Sequence, residues 1–309
     1  MALLRLTFLG TSAALPTADR NVSGLAVRAG ADTLLFDCGE GSQRQMQRFG
    51  VGFGVRAVFF THFHADHYLG IIGFLRTLQM LGRTEVLPLR GPAPAVSLLD
   101  RAIHLGVESL TFPLDLAEMA PGEVMPFTGY AVRAVAVEHR MPALGYVLEE
   151  AERPGAFDVA RAQALGVAPG PAFGRLQRGE TVELADGRRV SPGEVMAAPR
   201  RGRRLVISGD TRPTTSLIEA ARGADLLVHE ATFLEEDQAR AVLTGHATAR
   251  EAAEVAAAAH VQNLVLTHLS SRYDREPHRV AAEAGAVFTG PLTVAHDGLV
   301  IEVPRVHEF

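Results

Sequence analysis

The chain has 309 residues, 47% of them apolar and 21% charged, with a formal charge of −5. That balance excludes a disordered chain and, taken whole, a basic nucleic-acid coat. No apolar run approaches the ~18 residues needed to span a bilayer, and a single cysteine, Cys38, excludes an internal disulfide and a Cys-rich zinc site. All thirty basic residues are arginine, so mechanisms that need a lysine, such as a Schiff base or a P-loop, are excluded as well. The first ten residues lack a basic n-region, a long apolar stretch and a cleavage site, and read as a strand. The expectation is a soluble cytoplasmic enzyme or binding protein.

In chain order, apolar runs predict strands over Leu4–Leu9, Leu25–Val27, Thr33–Phe36 and Val55–Phe60. Helices are predicted over Gly41–Phe49 and Gly70–Leu81. Further strands follow at Ala131–Val137, Leu205–Ser208, Leu226–His229, Leu264–Thr267, Leu292–Ala295 and Val300–Val303. This alternation predicts a layered α/β fold. Thr248-Ala-Arg-Glu251, ahead of an alanine-rich stretch, has the spacing of a capping box: the threonine caps the helix and the glutamate reaches back. The stretch from about Glu149 to Arg204 is rich in Pro, Gly and Arg. It reads as an excursion from the core, with a hairpin turn at Asp186-Gly187 between Val182–Leu184 and Arg188–Val190. Between Gly170 and Arg204 eight arginines face four acids, a local charge of +4.

The sharpest feature is Thr61-His-Phe-His-Ala-Asp-His67, directly after the strand Val55–Phe60. Ligand sites of α/β sheets lie at the carboxyl ends of strands. Imidazole and carboxylate donors at this spacing suit zinc. Four donors are too few for two ions. Three more stand in matching contexts: His139 after Ala131–Glu138, Asp210 after Leu205–Gly209 and His268 after Leu264–Thr267. Seven donors, one a carboxylate able to bridge, make a dinuclear site.

His-x-His-x-Asp-His with later His, Asp and His resembles the metallo-β-lactamase fold superfamily. Phe8-Leu-Gly-Thr-Ser-Ala-Ala-Leu-Pro16, Arg20-Asn21, Leu35-Phe-Asp-Cys-Gly-Glu-Gly41, Ser208-Gly-Asp-Thr211, His229-Glu-Ala-Thr-Phe233 and Thr267-His-Leu-Ser-Ser-Arg-Tyr273 resemble the ribonuclease Z family, from Leu6 to about Val303. The resemblance implies a four-layer αβ/βα sandwich forming one domain over residues 1–309, with a flexible, protruding tRNA-binding arm inserted at 146–202. It implies a homodimer, precursor tRNA as substrate, and cleavage of the 3′ trailer to leave a 3′-hydroxyl. Two zinc ions are implied, one held by His62, His64 and His139, the other by Asp66, His67 and His268, with Asp210 between them. It makes the basic excursion an exosite for tRNA phosphates.

Water shared by two zinc ions has its pKa lowered toward neutrality and becomes a nucleophile for in-line attack on phosphorus. By resemblance Asp66 is both ligand and proton acceptor, and Glu230 and His246 form a relay to the leaving group. A carboxylate beside His246 would hold it cationic. The helix start at Thr248 would add a dipole and free N–H groups for a phosphate. Asp37, at a strand end, is expected to orient a ligand histidine. His104, His260, His278 and His307 have no partner motif, His229 reads as structural, and Cys38 as a small buried residue.

The chain departs from the family pattern in three places. Pro16–Asn21 has no lysine, Tyr68–Gly73 replaces a Gly-Leu-Pro-Gly-like stretch, and Ala247 stands where serine is frequent. None removes a metal donor. Two other functions fit the same scaffold: a small-molecule phosphodiesterase, against which the arm and His-Glu-Ala-Thr motif speak, and an inactive RNA-binding member, which should have lost donors.

Overall fold

A computed structural model describes residues 4–105 and 109–305; His307 lies outside them. Strands buried on both faces must be covered on both faces, and the apolar runs obey that rule. Among the described residues they form two seven-stranded sheets. The first runs Val300–Glu302, Leu4–Gly10, Gly24–Ala29, Asp32–Cys38, Val55–Phe59, Leu87–Gly91, Leu114–Glu118. The second runs Leu292–Val294, Leu264–Thr267, Leu226–Glu230, Arg204–Ile207, Leu144–Glu150, Tyr130–Ala136, Val124–Phe127. Asp32–Cys38, Val55–Phe59, Leu87–Gly91 and Leu114–Glu118 are mutually parallel, as are Arg204–Ile207, Leu226–Glu230, Leu264–Thr267 and Leu292–Val294.

The two sheets meet over aromatic rings. Phe36 stacks on Phe59 at 5.3 Å between centroids, and Tyr146 meets Phe59 edge-on at 5.4 Å. The buried Tyr146 hydroxyl is satisfied by donating to the Phe60 carbonyl at 2.6 Å. Helices cover the outer faces. Met46, Ile71, Phe74, Leu75 and Leu78 pack on the first sheet. Leu217, Ala220 and the alanine-rich helix Ala249–Ala258 pack on the second. Small side chains let that helix approach closely, and the layering is the four-layer α/β sandwich expected.

The predicted helices form as Ser42–Arg48 and Ile71–Met80. The strands Leu87–Gly91, Leu114–Glu118, Val124–Phe127 and Leu144–Glu150 were not legible in the sequence. Pro88 and Pro126 interrupt two of them and Gly145 weakens a third; tertiary pairing holds them in place.

A second compact unit comprises Glu149–Gly202 with Thr128–Tyr130; Tyr146, Val147 and Leu148 belong to the sheet of the main body. This unit has its own small core of Ala162, Val167, Leu176, Val182, Val190 and Val195. Phe157 and Phe173 stand 4.8 Å apart against it. Its hairpin pairs Val182 with Val190, and Gly187 takes the positive φ of +82° that the turn requires. Arg203 and Arg204 lie in the body, outside the unit. Residues 149–202 carry eight arginines and eight acids, a net charge of zero. The +4 read from the sequence therefore depended on a window that took in Arg203 and Arg204 beyond the unit's end and left out residues 149–169, which carry four acids against two arginines. No helix among the described residues is long and apolar enough to cross a membrane.

Candidate metal centre

Parallel strands end at one edge of each sheet, and the donors sit in the loops that follow. His62, His64, Asp66 and His67 follow Val55–Phe59. Asp210 follows Arg204–Ile207, and His268 follows Leu264–Thr267. His139 follows Tyr130–Ala136, where Glu138 still pairs with Arg212. Among the described residues the seven donors converge into two groups with metal-ligand spacing, His62–His64–His139–Asp210 and Asp66–His67–His268, and a third group, Asp210–His246–His268, overlaps them. In the first, His64 Nδ1 lies 2.9 Å from His62 Nε2 and 3.2 Å from His139 Nε2. In the second, Asp66 Oδ2 lies 3.5 Å from His67 Nε2 and 3.4 Å from His268 Nε2, which are 3.2 Å apart. Asp210 Oδ2 stands between the groups, 3.6 Å from His62 Nε2 and 3.4 Å from His67 Nε2.

These separations fit a divalent cation. Ligand atoms ~2.0–2.1 Å from a tetrahedral zinc are about 3.3–3.4 Å from one another. The ring tautomers fit too, because outer hydrogen bonds fix them. His67 Nδ1 donates to Asp37 at 2.7 Å and His139 Nδ1 to the Gly245 carbonyl at 2.7 Å. Thr61 Oγ1 donates to Asp37, so at 3.1 Å it accepts from His62 Nδ1. Thr232 Oγ1 donates to Glu230 at 2.6 Å and accepts from His268 Nδ1 at 3.0 Å. All four rings thereby turn an Nε2 lone pair inward. Asp37 thus holds one ligand histidine directly and a second through Thr61. Gly245 is required here: at φ +76° it brings its carbonyl to His139, and a Cβ would stand 3.0 Å from the His139 ring.

The electrostatics of the donor groups describe a place that favours positive charge. Burial opposes the charges of Asp66 and Asp210, yet neighbouring histidines hold both carboxyls well below the usual range. Burial also works against a cationic His67, but Asp210 and Asp37 outweigh it and raise the ring well above its ordinary value. The same pocket neutralises His62, through burial first and the charge of His67 second.

Beside the donors, His246 Nδ1 donates to Glu230 Oε1 at 2.9 Å. Burial disfavours the imidazolium, the Glu230 carboxylate more than offsets it, and the pKa is pushed up to about 9. Glu230 is itself fixed by the Thr211 and Thr232 amides. Arg212 donates to the His246 carbonyl and grips Glu251, which closes the predicted capping box with Thr248.

One expectation fails. The helix start offers no free N–H groups to a phosphate. Ala249 N donates to Phe233, Arg250 N to Glu283 and Glu251 N to Thr248. The backbone also carries a signal no sequence reading found. Among the described residues four non-glycine residues have positive φ, and three of them line this site: Ala14, Asp37 and His268, at 58° to 60°. Such strain persists only where the surroundings over-determine it. His229 is buried with Nδ1 on the Glu230 carbonyl; Cys38 is a small buried residue, as read, and burial pushes its thiol up to about 12.

Comparisons with known proteins fit this geometry. The family model described as Beta-lactamase superfamily domain matches residues 171–269, and that described as Anti-Pycsar protein Apyc1 matches residues 4–85. Human tRNase Z, short form, superposes with a TM-score of 0.70 at 24% identity, over 97% of this chain and 99% of that one. The metallo-beta-lactamase fold protein YhfI from Bacillus subtilis does so with 0.70 at 20% identity, over 97% and 99%. Ribonuclease Z of Myxococcus xanthus is 62% identical over 98% of this chain and 99% of its own length. Ribonuclease Z of Haloferax volcanii is 48% identical over 97% and 95%. The chain is a hydrolase of the metallo-β-lactamase fold and belongs to the ribonuclease Z family.

Proposed function

We propose that the chain is a cytoplasmic, zinc-dependent endoribonuclease that removes the 3′ trailer of precursor tRNA. The observation that carries this is the pairing of seven convergent donors with a proton-transfer couple, Glu230–His246, in one site. In this reading His62, His64 and His139 would hold one ion, Asp66, His67 and His268 the other, and Asp210 would contribute to both. Bound there, two zinc ions neutralise phosphate-oxygen charge and acidify water.

The protein's own groups do the rest. Asp66 takes a proton from the attacking water. A bond forms from the water oxygen to phosphorus, and the bond from phosphorus to the tRNA O3′ breaks. His246, held cationic by Glu230 through Nδ1, gives its Nε2 proton to the departing O3′. The tRNA keeps a 3′-hydroxyl and the trailer keeps the phosphate. Arg212 fixes the His246 backbone, and the Thr211 and Thr232 amides fix Glu230. The unit at 149–202 serves as the tRNA arm. With zero net charge it relies on the placement of individual arginines rather than on a basic field. The working form is a homodimer.

End-group analysis tests the reading. A 3′-extended precursor tRNA should yield a tRNA 3′-hydroxyl and a trailer 5′-phosphate, with cutting abolished by chelator and restored by zinc. Metal analysis should give two zinc ions per chain. Products bearing a 2′,3′-cyclic phosphate, or cutting that survives metal removal, would contradict it.

A further inference from the structure

We infer that Asp297, remote from the donors in sequence and absent from every motif above, is a positioning residue. It clamps both ends of the loop 11–21, and that loop holds the Asp66 carboxylate through the Ala14 amide. The inference rests on the role proposed for Asp66.

The contacts form one continuous path. Asp297 Oδ1 accepts from Thr11 Oγ1 at 2.8 Å. Its Oδ2 accepts from the Asn21 amide at 2.7 Å and from Gln45 Nε2 at 2.7 Å. Thr11 and Asn21 are the two feet of the loop, and the Thr11 and Ser12 amides both donate to the Asn21 carbonyl at 2.9 Å. Gln45 also donates to the Leu9 carbonyl at 2.9 Å, so the clamp is tied to the first strand. Arg20, 7% exposed, adds a second fastening: Nη1 donates to Thr11 Oγ1 at 2.7 Å and to the Ala295 carbonyl at 2.6 Å, and Nε pairs with Asp274 at 3.0 Å.

From this base the chain rises to Ala14, whose backbone sits at φ +58°. An alanine rarely adopts that conformation unaided. Here it aims the Ala14 N–H at Asp66 Oδ2, 2.8 Å away. The same oxygen faces His67 and His268. One amide therefore orients the carboxylate on which proton transfer depends, and it is held from two sides: by the pairing of Ser12–Ala13 with Leu269–Ser270 and by the clamp at the loop's feet. Three donors on one half-buried carboxylate make Asp297 the main fastening of the loop's two feet.

The first test needs neither metal nor RNA. Amide exchange at Ala14 is measured on the metal-free full chain. It should be protected in the wild type and at least tenfold faster in both Asp297→Asn and Asp66→Asn, with amides of the sheets unchanged. The second test uses the zinc-loaded protein on precursor tRNA and on bis(p-nitrophenyl) phosphate, which has no RNA for a loop to grip. Asp297→Asn should lower kcat at least tenfold on both, with KM for the RNA within twofold of wild type. Thr11→Val removes one clamp hydrogen bond, keeps the carboxylate, and should shift both readouts in the same direction by less; it carries the test if Asp297→Asn does not fold. Unchanged Ala14 exchange would overturn the inference. So would normal hydrolysis of the small diester with slowed RNA cleavage, which would make the loop a grip on RNA alone. A wild type that hydrolyses the diester but cuts no precursor tRNA would refute the function proposed above and leave the exchange test standing.

Discussion

The body and the unit at 149–202 are built on opposite terms. In the body, buried charged groups crowd one edge of two sheets, and each is held by another: Asp37 holds His67, Thr232 joins Glu230 to His268, and Glu230 holds His246. Removing one partner leaves a buried polar group unpaired, which is costly. In the smaller unit the charges lie outside a core of few side chains and cancel one another. Arg175 and Arg178 pair with Glu180, Arg188 with Asp186 and Arg189 with Glu183, all on side chains about half exposed or more. Such pairs contribute little to stability. The body is organised so that its chemistry tolerates little change; the small unit is organised so that its surface can vary.

Substitutions sharpen that contrast, beginning with the largest effect. His246→Ala removes the proposed acid and should lower kcat by about 10²–10⁴-fold with both metals retained, as single-turnover cleavage with metal analysis will show. Asp37→Asn leaves every donor in place but loses the acceptor that fixes two ligand rings. Zinc affinity should fall about 10–100-fold, read by competition with a chelator. A fully loaded, fully active variant would break the claim that the body's groups depend on one another. In the small unit, Leu176→Ala opens a core with few other members. It should cost about 2–5 kcal/mol and speed amide exchange within residues 157–196 while sheet amides stay protected. Equal loosening of the sheets would erase the distinction.

The smallest effect is on pH dependence. Burial raises the pKa of Glu251, and the Arg212 guanidinium and Thr248 amide more than reverse it, so the folded value lies below the ordinary one. A depressed carboxyl contributes stability that is complete above the ordinary value of 4.5 and is lost as pH falls through the folded value. Thermal melts of Glu251→Gln should therefore differ from wild type at pH 7 and converge with it in acid. A constant gap would contradict that assignment.

What the sequence made legible was whatever is local. His-x-His-x-Asp-His spans six residues, and the run before it marks a strand end. Asp210 and His268 followed from the same context, and the capping box at Thr248 from its spacing. Relations between distant residues were not legible. The Arg250 amide meets a glutamate 33 positions away, so the helix start that looked open is occupied. The positive φ of Asp37 and His268 and the bridging hydroxyls of Thr61 and Thr232 have no sequence pattern. The charge of the small unit depended on both its bounds: Arg203 and Arg204 lie outside it, and the acids of 149–169 lie inside.

The most direct test of the central claim sets wild type beside Asp66→Ala on 3′-extended precursor tRNA, with and without an encoded CCA, mapping product ends. The account predicts zinc-dependent cutting at the end of the tRNA body by the wild type, reduced at least about 10²-fold in the mutant. A folded, zinc-loaded wild type that leaves the precursor intact would contradict it and point to a small phosphodiester as the substrate. A mutant that cuts as well as wild type would contradict the role given to Asp66.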